Sequence, residues 1–472
     1  MSKRRVIFLI LFAIALLAMA GISINSQNRA KILNNGQSLV AGRNVNMTSS
    51  KAWPDPDGDV YLQRQNEPSI AVSTLNPLHL LAGANDYRSV DTWESVGELP
   101  GIPEEATAGD AWLGAFTSYD GGESWKSKLL PGYITDSAPE FGDSLKGFNA
   151  ASDPTVRAGI DGLFYYSGIA FDRIRKGASV IFVARYKDYN DTESGDSIRY
   201  IDTQIIDEGT SGQFADKPWM AVDIPRNGHP DGLVYLVYSV FLGDITQTTH
   251  NKILFARSPD GGDTWEGPIK LSESHQINQG TTVAIDPKNG YVYVAWRQFA
   301  KNNNPDAILV ARSTDHGRTF TKAIDVSIID HPFDQPTYDT ESGTIQFRTN
   351  AFPTIAVDNN NEVYIAWTQR EDEDGPARIV IESSIGGLDW SSLPIKVEDS
   401  AGLEGHQFMP SLTFAAGKLM IAWYDSRDSV RLKKGGSTEK WITDYYLGED
   451  ACPDPSGGNH PCHWRETIDV RI

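Results

Sequence analysis

SPDGGDTW, residues 258–265, recurs as SYDGGESW at 118–125, as STDHGRTF at 313–320 and, in worn form, as SSIGGLDW at 383–390. A serine, an aspartate, two glycines and an aromatic residue in eight positions describe a turn. Ser258 and Asp260 can cap free backbone N–H groups, Gly261 and Gly262 permit positive φ, and Trp265 can fold back beneath them. The same structural role is expected of Ser118, Asp120 and Trp125 in the first copy and of Ser313, Asp315 and Phe320 in the third. A recurrence of this kind decides the architecture before any local motif does.

Each box follows a short apolar strand: KILFARS before 258, AILVARS before 313, ARIVIESS before 383. Upstream of that strand lies a hairpin, clearest in FPTIAVDNNNEVYIAW (352–367), where two β-branched and aromatic runs flank an Asn-rich turn. The unit recurs from Glu67, Asp153, Lys217, Thr281, Phe352 and Met409, which makes six copies. The gap between the first two boxes holds two units with one box missing, in ARYKDYNDTESGDS (184–197). Six units of four short strands predict an all-β chain, a six-bladed β-propeller with four-stranded antiparallel blades over residues 66–472. TIDVRI (467–472) reads as the third strand of the sixth copy, with nothing after it. Residues 21–65 are then expected to supply the closing strand; a shortened chain is the alternative.

The chain of 472 residues carries a formal net charge of −20, which argues against nucleic acid as a partner, since that binding needs Lys and Arg to displace counterions. Residues 1–20, MSKRRVIFLILFAIALLAMA, join three basic residues to an apolar run ending in small residues, the pattern of a signal peptide cleaved after Ala20. The protein is therefore expected outside the cytoplasm, secreted or periplasmic, with no membrane span once the signal is removed. A retained anchor is the alternative. Cys452 and Cys462, the only two cysteines, suit a disulfide in that setting. Trp296, Trp367 and Trp423 end second strands and read as packing, whereas Trp53, Trp93, Trp112, Trp219, Trp441 and Trp464 fall outside the repeat and suit exposed use.

The S-x-D-x-G-x-T-W boxes in a six-unit all-β chain resemble the bacterial neuraminidase repeat, or Asp-box, family, which includes the sialidases. The resemblance implies boxes on the rim opposite an active face, a glycan or glycoconjugate as partner, and three arginines that hold a sugar carboxylate. It also implies a tyrosine nucleophile beside an acid/base aspartate. The family's Arg-Ile-Pro arginine falls on Asn66, ahead of Glu67 and Pro68, so the first arginine is absent here. A different set follows the second strands: Arg88, Arg297, Arg370 and Arg427. These share an edge with the starts of the first strands, so Glu67, Asp153, Asp216 and Lys217 are expected in the same basin. Asp86, Tyr424 and Asp425 are the candidate catalytic groups, and Glu67 and Asp153 join the arginines as candidate ligand contacts. A non-catalytic scaffold that binds another surface protein is the alternative. No motif demands a cofactor; calcium is the ion that so acidic a chain leaves open, although no EF-hand spacing is present.

Overall fold

A computed structural model describes residues 45–48, 65–88, 111–133, 143–172, 177–191, 196–209, 212–223, 232–242, 250–301, 303–335, 348–390, 393–398, 405–415, 417–425, 444–449 and 468–470, with short pieces at 136, 338–339 and 344–345. The chain divides after Asn44, and the first unit lies outside the described residues. So do Cys452, Cys462, Arg427, Trp53, Trp93, Trp441, Trp464 and most of the stretch 21–65.

The second unit is a six-bladed β-propeller: among the described residues it holds six four-stranded antiparallel sheets, each built from strands in chain order. Blade 1 comprises Gln65–Val72, Leu80–Asp86, Trp112–Ser118 and Lys126–Leu129. Blade 2 comprises Ala150–Ala158, Leu163–Phe171, Ser179–Asp188 and Ile198–Gly209. Blade 3 comprises Gln213–Val222, Val234–Leu242, His250–Ser258 and Glu266–Lys270. Blade 4 comprises Ile277–Ile285, Val292–Phe299, Ala307–Ser313 and Ile324–Ile328. Blade 5 comprises Thr354–Val357, Glu362–Arg370, Ala377–Ile385 and Ile395–Lys396. Blade 6 comprises Gln407–Ala415, Lys418–Asp425, Asp444–Glu449 and Ile468–Val470. First strands pack on one another in succession from blade 1 to blade 6.

Side chains alternate across each strand, so every blade presents two apolar faces. In blade 2, Phe164, Tyr166 and Phe182 meet Leu81, Leu113 and Ala115 of blade 1. Their neighbours Tyr165, Ile169 and Ile181 meet Leu236, Tyr238 and Val240 of blade 3. Burying one such side chain contributes roughly 1.5–3 kcal/mol, which makes these interfaces the main source of cohesion. Trp296 and Trp367 lie in them, 1% and 0% exposed, as the repeat predicts. Trp112 does not take the exposed role expected of it: it is 2% exposed, and its indole N–H donates to the Leu130 carbonyl at 2.9 Å.

The eight-residue boxes are turns between third and fourth strands. In the three full copies the serine hydroxyl accepts the N–H of Gly122, Gly262 or Gly317 at 2.9, 2.7 and 2.8 Å. The aspartate accepts both the N–H and the hydroxyl of the seventh residue; for Asp315 these are Thr319 bonds of 2.9 and 2.5 Å. A second pattern emerges in space. The arginine just before the box position donates to the carbonyl of the fourth box residue in the next blade: Arg185 to Gly261, Arg257 to His316 and Arg312 to Gly386, at 3.4, 2.7 and 2.9 Å. Thr117 and Glu382 stand at that place in blades 1 and 5, and the blades that follow them carry no box. Where blade 2 lacks its box, Asp188 instead bonds Ser73 at 2.6 Å and the His79 imidazole at 3.0 Å, a buried tie to blade 1.

TIDVRI departs from expectation. Ile468–Val470 is the fourth strand of blade 6, paired with Asp444–Glu449, which is the third. The sixth sheet therefore draws all four strands from its own segment.

Hydrogen bonds from Ser124 hold the exposed Asp120 carboxyl down at about 2, and those from Thr319 and Ser313 outweigh desolvation to hold Asp315 at about 2. A depressed carboxylate contributes stability above its unfolded value of 3.8 and loses it as pH falls toward 2. Asp315→Asn should therefore lower the unfolding midpoint at pH 6, and the deficit should vanish near pH 2, as read by denaturant melts across that range. Arg257→Ala should cost roughly 1–2 kcal/mol, since it frees the buried bond to His316.

Candidate ligand basin at the strand starts

Near their starts, four first strands carry a residue followed by proline: Glu67-Pro68, Asp153-Pro154, Lys217-Pro218 and Met409-Pro410. A residue before proline normally stays extended. Here all four take positive φ, at 53, 61, 47 and 52°, and Gly280 of blade 4 joins them at 70°. Each sits where the pairing with the second strand slips, for instance between Asn66 and Ser69 or between Ser152 and Thr155. Such a bulge re-aims one side chain out of the sheet, and each left-handed non-glycine residue costs of order 1–3 kcal/mol.

The re-aimed side chains of blades 1, 2 and 3 converge. The Lys217 ammonium lies 3.1 Å from Glu67 Oε1 and 3.7 Å from Asp153 Oδ1. The Lys217 backbone N–H donates to Asp153 Oδ2 at 3.2 Å, and the Asp153 N–H donates to Asn85 Oδ1 at 2.8 Å. Gln279 of blade 4 donates to Asp216 Oδ2 at 2.9 Å, which extends the polar arc over four blades. Burial raises the Glu67 carboxyl above its ordinary range, and the neighbouring Asp153 adds to this against the pull of Lys217. Burial likewise raises Asp153, with Asp216 adding and Lys217 opposing. Burial works against the charge of Lys217 but is overcome by Asp153, Glu67 and Asp216, so its pKa is raised. One ammonium thus serves three carboxyl groups, and the Glu67–Asp153 pair gives up its second proton reluctantly.

The other candidates lie at the ends of second strands, on the edge that pairs with these strand starts: Gln279 opposes Arg297, and Gln407 opposes Asp425. Their direct partners differ from the Lys217 group. Asp86 receives Nε of Arg88 at 2.8 Å, and Arg88 also donates to Ser127 at 2.6 Å; all of this is buried. Arg297, 1% exposed, is clamped by Asp306 at 2.8 and 2.6 Å and by Asp334 at 2.7 and 2.8 Å. Arg370 lies over the Phe333 ring at 4.9 Å and donates to the Glu373 carbonyl. Asp425, 1% exposed, accepts from Gln407 at 3.1 Å and from the Trp423 indole at 3.3 Å, and Tyr424 stacks on Phe408.

Two groups escaped sequence reasoning. Arg157, on the first strand of blade 2, donates to the Met220 carbonyl at 3.0 Å and lies 4.9 Å from the centre of the Trp219 ring, which is 39% exposed. Desolvation lowers the Arg157 pKa to about 10. His406 stacks on Phe333 at 4.6 Å and accepts the Ala377 N–H at 3.1 Å; desolvation, with Arg370 and Arg378 adding, lowers its pKa to about 4. Neither had a spacing signal, because each depends on a residue from another strand. A cleft of about 320 Å³ lies among Ile285, Pro287, Val357 and Phe414, at the opposite ends of the first strands. With Asn359, Ala415 and Gly417 completing its lining, it holds no titratable side chain for proton transfer, so the Lys217 arc is the better candidate. Among the described residues no group of three or more His, Cys, Asp or Glu is placed to hold a metal ion, and no helix is long and apolar enough to cross a membrane.

No protein-family model matches this chain, and no curated protein matches it. Solved structures similar to it include a Dyadobacter fermentans protein of unknown function (14% identity, 76% of this chain and 90% of that one, TM-score 0.43). Another is the Penicillium chrysogenum α-L-arabinanase complexed with arabinobiose (13% identity, 77% and 89%, TM-score 0.43). A third is the Trypanosoma rangeli sialidase (12% identity, 76% and 52%, TM-score 0.37).

Lys217→Met removes the sole cation of the arc. It should cost roughly 1–2 kcal/mol at pH 7, since its partners are only partly desolvated. Lowering the pH protonates Glu67 and Asp153, whose carboxyls burial raises, so the deficit should shrink as the pH falls into the acid range. Urea melts of both proteins at pH 7 and pH 4.5 would read this directly.

Proposed function

We propose that this is an exported propeller of the Asp-box type that acts on glycans at the basin formed by Glu67, Asp153 and Lys217. The observation that supports the reading is the carboxyl pair held against one ammonium on three adjacent blades, with burial raising both acids. Glycoside hydrolysis needs one carboxyl that still carries a proton and one that is ionised. Of the pair, the protonated member would donate to the departing glycosidic oxygen as the C–O bond breaks. The ionised member would steady the positive sugar carbon or take a proton from the attacking water. Lys217 would keep the second carboxyl ionised. Arg370 and Tyr424 would form the loop wall around the sugar, backed by the buried Asp86, Arg88 and Asp425. No cofactor enters this scheme, and calcium would act only on the fold.

A second reading, a scaffold that binds another surface protein without catalysis, is favoured by the clamping of Arg88 and Arg297 by carboxylates, which leaves them poorly placed to hold an anionic sugar.

The test is turnover of a panel of fluorogenic glycosides, sialosides included, by residues 21–472 from pH 4 to 8, with and without calcium. Glu67→Gln and Asp153→Asn should each lower kcat by about 100-fold or more, with one limb of the pH profile lost. Turnover that survives both substitutions would move catalysis away from this pair. Glycan binding without turnover, abolished by Lys217→Met, would mark a lectin-like basin; neither activity would leave the scaffold reading.

A further inference from the structure

Five apolar interfaces join six blades in sequence, and each buries one residue of the first strand against the preceding blade: Val156, Met220, Val283, Ile355 and Leu412, all 7% exposed or less. The equivalent residue of blade 1 is Ile70, which is 56% exposed, and Val72 on the same face is 49% exposed. No packing comparable to the other five first-strand contacts joins blade 6 to blade 1 among the described residues. Behind Ile70, on the face turned away from blade 2, Ala82, Ala84 and Phe116 form a small separate cluster. Met47, which precedes the first blade in the chain, packs on it, as does Trp125.

We propose that the short segment 45–48, through Met47, is the cover for this free face of blade 1, taking there the place that a neighbouring blade takes on the other five first strands. An apolar sheet face of this size is not left to water in a protein whose other blade faces are covered. Met47 suits the task because an unbranched thioether fills irregular apolar gaps. Its backbone is fixed by its neighbours: both the N–H and the hydroxyl of Thr48 donate to Asn46 Oδ1, at 3.0 and 2.8 Å. Blade 6 already has four strands of its own, so the contact is a side-chain cover rather than an added strand. The inference stands whether or not the basin acts on glycans.

A photoreactive benzophenone side chain in place of Ile70, in the full chain, reports what covers the face. Intramolecular cross-links to the peptide containing Met47 are expected. Cross-links to residues 407–425 would show direct closure by blade 6 and overturn the proposal; links between molecules would identify a second copy and do the same. Met47→Asp should raise amide exchange at Leu80–Asp86 and Trp112–Ser118 by about fivefold to tenfold and leave blades 3 and 4 unchanged, while Met47→Leu exchanges like the parent chain. Equal exchange in the Asp variant, or an increase spread evenly over all blades, would refute the cover.

Discussion

Everything in this propeller follows from the fact that a four-stranded sheet with two apolar faces has no stable existence alone. Because successive side chains alternate across a strand, blade 2 sends Tyr166 one way and Tyr165 the other, and each finds an apolar partner only in a neighbouring blade. The repeat in the sequence is the repeat of that requirement. It also explains why a box turn recurs with its own clasp. Packing alone sets how blades press together but not their angular register, whereas an arginine that reaches the carbonyl of the next box fixes a direction. Loss of the arginine at Thr117 and Glu382, next to blades without a box, shows the two halves of the clasp going together.

The fold was legible because its signals are local and periodic. FPTIAVDNNNEVYIAW carries strand, turn and strand in one window, and SPDGGDTW carries a turn whose bonds all lie within four residues. The convergence of Glu67, Asp153, Asp216 and Lys217 could also be read, since equal positions of equal repeats must meet near the axis. The arginines were a different matter. Arg297 stands next to a repeat tryptophan as visibly as any ligand residue, but Asp306 and Asp334, which clamp it, come from loops with no repeat to index them. Trp112 was misread because it opens the third strand of blade 1 at a place where blades 4 and 5 carry Ala307 and Ala377, so the repeat gave no sign of a buried indole there. TIDVRI was one strand out because the loops before it in blade 6 have no counterpart in the other copies.

The strained bulges connect fold to site. A continuous strand would point the Glu67, Asp153 and Lys217 side chains at a neighbouring blade, where charge could not be kept. Left-handed backbone turns them to the axis instead, and the cost of that conformation is met by the packing on either side. Proline after each bulge keeps the following residue from offering an N–H where the ladder has slipped. Gly280 shows the limit of the pattern: blade 4 keeps the bulge but projects no side chain there, and a Cβ at this position would lie 2.3 Å from the Phe352 ring. The polar arc therefore passes to Gln279, one residue earlier.

Charge balance at the axis also separates this basin from the family that its boxes resemble. There an arginine at the first strand start meets a sugar carboxylate; here Asn66 holds that place, and the next residue adds a carboxyl group. With Asp153 and Asp216 beside it and only Lys217 to offset them, a second anion brought to this arc would meet net negative charge at short range, where the reduced dielectric strengthens repulsion. A ligand that is neutral, or that carries its own cation, faces no such penalty. Asn66 at the first strand start thus bears less on whether a ligand can sit at the axis than on which charge that ligand can carry.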